Sequence, residues 1–126
     1  KTPTLLVTGD LSFFYDANGL WNSYVNSDFR IIIINNRGGG IFRILPGHKE
    51  NKFFTSFIET PHKLSAKQLA KMYGFRYQNK KSKLGLRIAL RSFFKKSSTP
   101  KILEITTSSK LSSDTLKNYF KFLSKP

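Results

Sequence analysis

Cysteine is absent from this 126-residue sequence. That excludes a disulfide framework and thiolate metal centres, and it is compatible with a reducing compartment, so the cytoplasm is the expected location. Methionine occurs once, at Met72, and not at the first position, which leads us to expect a fragment of a longer polypeptide. The apolar runs are only a few residues long, far below the roughly 20 that a membrane-spanning helix needs, and no signal-peptide pattern opens the chain. No membrane partner is expected. Acidic residues are scarce, seven against 22 Lys and Arg, for a formal net charge of +15.

That charge is not spread evenly. Residues 1–60 hold six basic and five acidic residues, whereas residues 61–126 hold sixteen basic and two acidic. A basic region of this kind raises the possibility of a non-enzymatic nucleic-acid-binding module. Yet Lys83, Arg87, Arg91 and Lys95 recur every four residues opposite Leu86, Leu90 and Phe93, and Lys117, Lys121 and Lys125 repeat the pattern. With the aromatic residues assigned to the apolar faces, such stripes read as solvated helix surfaces, and nucleic acid becomes the rival reading.

The length allows one domain, small for an enzyme that binds both a cofactor and a substrate. Thr4–Thr8 is short, apolar and β-branched and ends at Gly9-Asp10, as a buried strand would. Helical spacing follows from Phe13 to Val25, with Ser12 as a possible cap. Phe29–Ile34 is apolar nearly throughout, which suits a strand covered on both faces. A long loop runs from Asn35 to about Leu64, with one short helix predicted over Asn51–Ile58. Further helices are predicted over 65–72, closed by Gly74, over 82–96, and over 114–123 with Ser112 or Ser113 as cap; strands are predicted over 75–77 and 102–106. Strands alternating with helices imply an α/β fold, a mostly parallel sheet with helices on both faces.

Ligands of open parallel sheets bind outside the carboxyl ends of the strands. Asp10 and Asn36, 26 positions apart, both lie at such ends, and Asn36 is followed by Arg37 and the triplet Gly38-Gly39-Gly40. A hard carboxylate, an amide oxygen and bare backbone suit Mg²⁺, which takes one or two carboxylates and completes its shell with phosphate oxygens and water. A diphosphate is the natural third party, received by the N–H groups of Leu11 and Ser12 after Gly9. Asp10 taken alone would be a helix cap. Asp16 and Asn18 fall inside the helical stretch and read as structural, and His48 and His62 are spaced for neither a metal pair nor a triad. Glu59 is the only remote candidate for a second carboxylate.

A Gly-Asp, a helix, and an Asn-Asn closing an apolar strand at this spacing resemble the thiamine-diphosphate fingerprint of the decarboxylase and synthase superfamily. "GDLSFFYDANGL", "INNRGGGIFRILPG" and "TPHKLSAKQLAKMYGFRY" are similar in particular to the synthases of menaquinone biosynthesis. The resemblance covers Leu5–Tyr77 most strongly. It implies that residues 1–126 are a single partial domain, the C-terminal diphosphate- and metal-binding domain of a larger chain. Asp10, Asn36 and the Gly38 carbonyl would hold Mg²⁺ or Mn²⁺, and Gly9, Leu11, Ser12, Asn36 and Gly38 would contact thiamine diphosphate. Ile41, Phe42 and Leu45 would form an apolar wall beside the substrate, with Arg43 near the mouth; Arg37 departs from the small or amide residue common in relatives. The implied reaction decarboxylates 2-oxoglutarate and adds the succinyl-semialdehyde unit to isochorismate, in a homodimer or homotetramer. No catalytic residue is assigned, because the glutamate that starts the cycle is expected in a missing N-terminal domain, and the chain alone is expected to be inactive. Within the superfamily the alternative is another decarboxylase or an acetolactate-synthase-like enzyme.

Overall fold

A computed structural model describes residues 3–45, 47 and 51–124. Strands β1 (Thr4–Gly9), β2 (Phe29–Asn35), β3 (Arg76–Lys80) and β4 (Lys101–Thr106) form one all-parallel sheet in the order β1-β2-β4-β3. Four helices accompany it: α1 (Asp10–Tyr15), α2 (Lys67–Met72), α3 (Lys83–Phe93) and α4 (Ser109–Leu123). His48 and Lys125, singled out above, lie outside the described residues.

The run of isoleucines explains the layering. Side chains alternate across a strand, so Ile31 and Ile33 face one side, where they join Phe13 of α1, Ala66, Ala70 and Phe75 around α2, and Ile102. Ile32 turns to the other side and, with Ile105, flanks a second cluster made of Leu103 and the α3 residues Ala89 and Phe93. A strand apolar on both faces thus sits between helices on both faces, as a parallel sheet requires. Buried Arg30 and Lys101 cap α3: Arg30 Nε donates to the Phe93 carbonyl at 2.9 Å, and Lys101 Nζ to those of Ser92 and Lys95, each at 2.8 Å. Cations are favoured there because the last carbonyls of a helix lack partners and carry its negative pole. Burial, and secondarily the Arg30 charge, hold the Lys101 pKa below its ordinary value.

Several boundaries differ from expectation. The helix after β1 starts at Asp10, with Gly9 rather than Ser12 in the cap position, and it stops at Tyr15. Asp16 leaves helical geometry at φ −109°, and a 3₁₀ turn, Ala17–Leu20, replaces the rest. Asn18-Gly19 supplies two poor helix formers there, and Asn22 Nδ2 donates to the Gly19 carbonyl at 2.7 Å. Helix α4 begins at Ser109, capped by Ser108 rather than Ser112 or Ser113, and β3 runs on to Lys80. At the end of α2, Gly74 takes φ +74° and the Phe75 N–H reaches the Ala70 carbonyl, a left-handed glycine stop. The helix expected over Asn51–Ile58 is a wide π-type turn at Phe54–Ile58. No helix of the described residues is long and apolar enough to cross a membrane.

Candidate functional site

Strands β1 and β2 are parallel neighbours with Gly9 opposite Ile34, so the residues that follow them emerge at the same edge of the sheet. A cleft of about 390 Å³ opens there, and Asp10, Ser12, Asn36, Gly38, Ile41 and Phe42 are among the residues lining it. The Asp10 side chain is almost wholly buried, and its two oxygens differ sharply. Oδ2 accepts the backbone N–H groups of Arg37 at 2.7 Å and Gly38 at 3.1 Å, and contacts His62 Nε2 at 3.1 Å. Among the described residues, Oδ1 accepts only the adjacent Leu11 N–H, at 2.9 Å.

The His62 contact has a definite proton arrangement. Its Nδ1 accepts the Leu64 N–H at 3.1 Å, so a neutral ring must carry its proton on Nε2, which then donates to Asp10. The ring is held further by an edge contact with Phe14, centroids 5.4 Å apart. Three N–H donors therefore fix Oδ2, while Oδ1 keeps lone-pair capacity on a residue that lines the cleft.

Each glycine of the triplet meets a different neighbour. Arg37 adopts φ 67° and Gly38 φ 154°, so the chain turns sharply as soon as it leaves β2. Gly39, at φ −77° and ψ 65°, forms an inverse γ-turn closed by Gly40 N–H on the Gly38 carbonyl at 2.9 Å. A Cβ on Gly38 would lie 2.8 Å from the Glu59 carbonyl oxygen, and one on Gly39 would lie 2.8 Å from the Phe42 ring. One on Gly40 would overlap the Asn36 amide at Nδ2.

Glu59 staples this loop from beneath. Its carbonyl accepts the Gly39 N–H at 2.6 Å. Its buried carboxylate takes a forked pair from Arg43, Nε at 2.5 Å and the terminal nitrogen at 2.7 Å, together with the Ser109 hydroxyl at 2.8 Å. The Arg43 hydrogen bond holds the Glu59 pKa below its ordinary value, against burial, which acts in the opposite direction. Arg43 was expected near the mouth of the site, but it is absent from the cleft lining and its guanidinium is engaged by Glu59.

A second network supports the loop from the β4 side. Asn35 Oδ1 accepts the Arg37 N–H at 3.0 Å, and its Nδ2 donates to the Leu64 carbonyl and to Glu104 Oε1. The fully buried Glu104 also accepts from Ser65 Oγ, the Ala66 N–H and the Tyr77 hydroxyl. Burial and the bond to Glu104 push the Tyr77 hydroxyl up to about 12.

Asp10, Ser12, Gly9, Leu11, Asn36, Gly38, Ile41 and Phe42 thus share one cleft, whereas Leu45 and Arg43 lie outside its lining. The Leu11 N–H, expected to receive diphosphate, is turned to Asp10 instead. Sequence reasoning passed over His62, Asn35 and Glu104 as participants. The only local signal was the polar Asn35 closing an apolar strand. Among the described residues, no three His, Cys, Asp or Glu side chains gather as a metal-binding group. A cation here would rest on one carboxylate, one amide and backbone, which is the kind of mixed oxygen set that Mg²⁺ accepts.

No family model matches the chain. Curated relatives match nearly all of it. The 2-succinyl-5-enolpyruvyl-6-hydroxy-3-cyclohexene-1-carboxylate synthase of Christiangramia forsetii is 48% identical over 98% of this chain and 21% of its own length. The synthase of the same name from Flavobacterium psychrophilum is 51% identical over 95% of this chain and 22% of its own, and that of Porphyromonas gingivalis 42% over 96% and 21%. The chain spans about a fifth of the length of the curated relatives it matches.

Proposed function

We propose that this chain, a homologue of one segment of the 2-succinyl-5-enolpyruvyl-6-hydroxy-3-cyclohexene-1-carboxylate synthases, is the C-terminal diphosphate- and metal-binding part of such an enzyme. The reaction is the decarboxylation of 2-oxoglutarate with addition of the succinyl-semialdehyde unit to isochorismate, a step of menaquinone biosynthesis, in a cytoplasmic homodimer or homotetramer. The observation that carries the reading is the meeting of Asp10, Asn36 and Gly38 in a single cleft at the carboxyl ends of adjacent parallel strands.

The residues present fit thiamine diphosphate and Mg²⁺. Asp10 Oδ1 has spare lone pairs beside the cleft, the Gly38 carbonyl keeps one beyond its bond to Gly40, and a Cβ at Gly38, Gly39 or Gly40 would crowd the loop. When bound, thiamine diphosphate supplies the electron sink for decarboxylation and carbon–carbon bond formation. The chain's own part is to bind and orient. Asp10 supplies the ionised ligand, Asn36 and Gly38 neutral oxygens, and Ser12 a backbone N–H towards diphosphate. Ile41 and Phe42 give the cleft an apolar side that excludes water, which strengthens electrostatic interactions within.

Calorimetry on the full-length enzyme tests this. Asp10→Ala should abolish Mg²⁺-dependent cofactor binding and Asn36→Ala weaken it less, since a neutral amide contributes less than a carboxylate to holding a dication. Wild-type cofactor affinity in Asp10→Ala would overturn the assignment. The chain alone should show no turnover with cofactor and Mg²⁺ supplied.

A further inference from the structure

The face of the sheet built on Ile31, Ile33 and Ile102 also carries a carboxylate. Alternation along β4 puts Glu104 on that face two residues beyond Ile102 and opposite Ile33 in register, and alternation along β2 puts Asn35 there two residues beyond Ile33. Glu104 is wholly buried. Burying a carboxylate is costly unless its lone pairs are used, and an apolar residue of similar size would serve the sheet as well or better. What sets Glu104 apart is the division of its partners. Oε2 accepts the Ser65 hydroxyl at 3.0 Å, the Ala66 N–H at 3.1 Å and the Tyr77 hydroxyl, whereas among the described residues Oε1 accepts only Asn35 Nδ2.

The Oε1 contact sets an orientation. Asn35 Nδ2 also donates to the Leu64 carbonyl at 3.1 Å, and Asn35 Oδ1 accepts the Arg37 N–H at 3.0 Å. With acceptors at one end of the amide and a donor at the other, only this orientation satisfies all three. The Arg37 N–H is shared with Asp10 Oδ2 at 2.7 Å. Arg37 stands between Asn36 and Gly38 at φ 67°, a left-handed conformation that a residue with a side chain keeps only where its surroundings hold it. We propose, on the reading of the cleft as a Mg²⁺ and diphosphate site, that Glu104 is a positioning residue: by accepting at Oε1 it holds the Asn35 oxygen towards the Arg37 peptide, and so fixes the candidate ligands Asn36 and Gly38 relative to Asp10. Glu104 itself does not line the cleft.

Glu104→Gln isolates this role, because an amide accepts at one end only. Its nitrogen cannot face Ala66, whose backbone N–H cannot turn away, so it takes the Asn35 side and meets Nδ2 donor to donor. Turning the Asn35 amide over relieves that clash and aims its nitrogen at the Arg37 N–H instead. The test is calorimetry of Mg²⁺-dependent thiamine diphosphate binding to the full-length enzyme, with the melting temperature of each variant. Glu104→Gln and, separately, Asn35→Ala should each weaken binding about tenfold. Tyr77→Phe removes an Oε2 donor and leaves Asn35 as it is, so it should lower the melting temperature without changing affinity. Asn35→Asp combined with Glu104→Gln restores a donor facing an acceptor at the contact and an acceptor facing Arg37, and it should bind more tightly than Glu104→Gln alone. Wild-type affinity in Glu104→Gln or Asn35→Ala, equal affinities in Tyr77→Phe and Glu104→Gln, or a double variant no better than Glu104→Gln overturns the proposal. If Glu104→Gln does not fold, Asn35→Ala against Tyr77→Phe decides on the same terms. Asp10→Ala checks the site itself: loss of binding there with wild-type affinity in Glu104→Gln refutes the role of Glu104 alone, whereas wild-type affinity in Asp10→Ala refutes the site and this role with it.

Discussion

Gly40→Ala separates the ligand role of Asn36 from the stability of its loop. The backbone at Gly40 is not in the left-handed region, so an alanine there meets no conformational penalty of its own. What its Cβ meets is the Asn36 amide at Nδ2, with Ser113 Oγ comfortably distant at 3.9 Å. To regain ordinary contact at 3.4 Å or more the amide must retreat by about 1 Å, and displacement on that scale in a positioned group can cost about 100-fold in rate. The cleft gives the side chain somewhere to go, so the fold should lose only about 1 kcal/mol, at the low end for overpacking. In the full-length enzyme we therefore expect kcat/KM to fall about 100-fold, roughly 2.7 kcal/mol, with a matching loss of Mg²⁺-dependent cofactor affinity by calorimetry. Gly38→Ala is the contrast, because its Cβ meets backbone at φ +154° and cannot be relieved by a rotating side chain. Its cost should appear in stability as well, about 2–3 kcal/mol. Wild-type cofactor affinity in Gly40→Ala, with the melting temperature lowered as in Gly38→Ala, would refute the placement of Asn36 at the ion.

Three further outcomes are expected. His62→Ala should weaken Mg²⁺ binding about tenfold, because it frees Asp10 Oδ2 from its one side-chain donor; His62→Gln, whose amide can donate to Asp10, should recover part of the loss in a Mg²⁺ titration. The lowered Glu59 pKa contributes stability that is complete above its ordinary value of 4.5 and is lost as pH falls through the folded value, so a plot of melting temperature against pH should fall more steeply below 4.5 for wild type than for Glu59→Gln. Phe42→Ala should lower kcat/KM by about 10- to 100-fold while cofactor affinity changes much less, since Phe42 lines the cleft without offering a ligand atom; loss of cofactor binding instead would mean that its ring shapes the glycine loop through Gly39.

What the sequence made legible follows from periodicity and strand ends. Ile31–Ile34 announces a strand buried on both sides, and parallel neighbours necessarily bring Asp10 and Asn36 to one edge, so both could be found without knowing the sheet order. Helix starts were harder. Ser108, Ser109, Ser112 and Ser113 are all competent caps, and the contacts of the folded chain choose among them: the Ser109 hydroxyl donates to Glu59, that of Ser112 to Thr107 Oγ1 and that of Ser113 to the Ser109 carbonyl, which leaves Ser108 as the cap. At α1 the Asp10 carboxylate receives the Leu11 N–H, so the helix begins two residues before the serine that looked like its cap. His62 and Glu104 were illegible for a different reason. Their partners Asp10 and Asn35 lie 52 and 69 positions away in sequence, and neither histidine spacing nor strand pattern carries information about contacts that form only when a long loop folds back. On α3 the four-residue cationic repeat is exposed as expected, but the aromatics do not all fall on apolar faces: Phe94 beyond α3 and Tyr119, Phe120 and Phe122 of α4 are exposed, because a helical repeat read from sequence does not say which faces the sheet covers.

Among the described residues, the contacts that shape the glycine loop come from distant parts of the sequence. Asp10 Oδ2 draws in the N–H groups of Arg37 and Gly38, the Glu59 carbonyl holds that of Gly39, and Asn35 fixes Arg37 while being fixed by Glu104. Three parts of the chain far apart in sequence, the start of α1, the end of the π-type turn and, by way of Asn35, β4, thus converge on a few consecutive peptide groups. Ligand geometry held by such a shell costs no reorganisation when an ion arrives. The apolar residues around it are arranged differently: Leu5 and Val7 of the edge strand β1, Ile41 beside the cleft, and Phe120 and Leu123 of α4 are all substantially exposed. Polar groups that must be placed to a fraction of an ångström are therefore set by directional hydrogen bonds, whereas the apolar residues around them stand exposed, since apolar contact depends on area more than on angle. That division accounts for a cleft that brings its candidate ion ligands together yet exposes its apolar side, and it makes the glycine loop, rather than the wall beside it, the part of the cleft most closely fixed by hydrogen bonds.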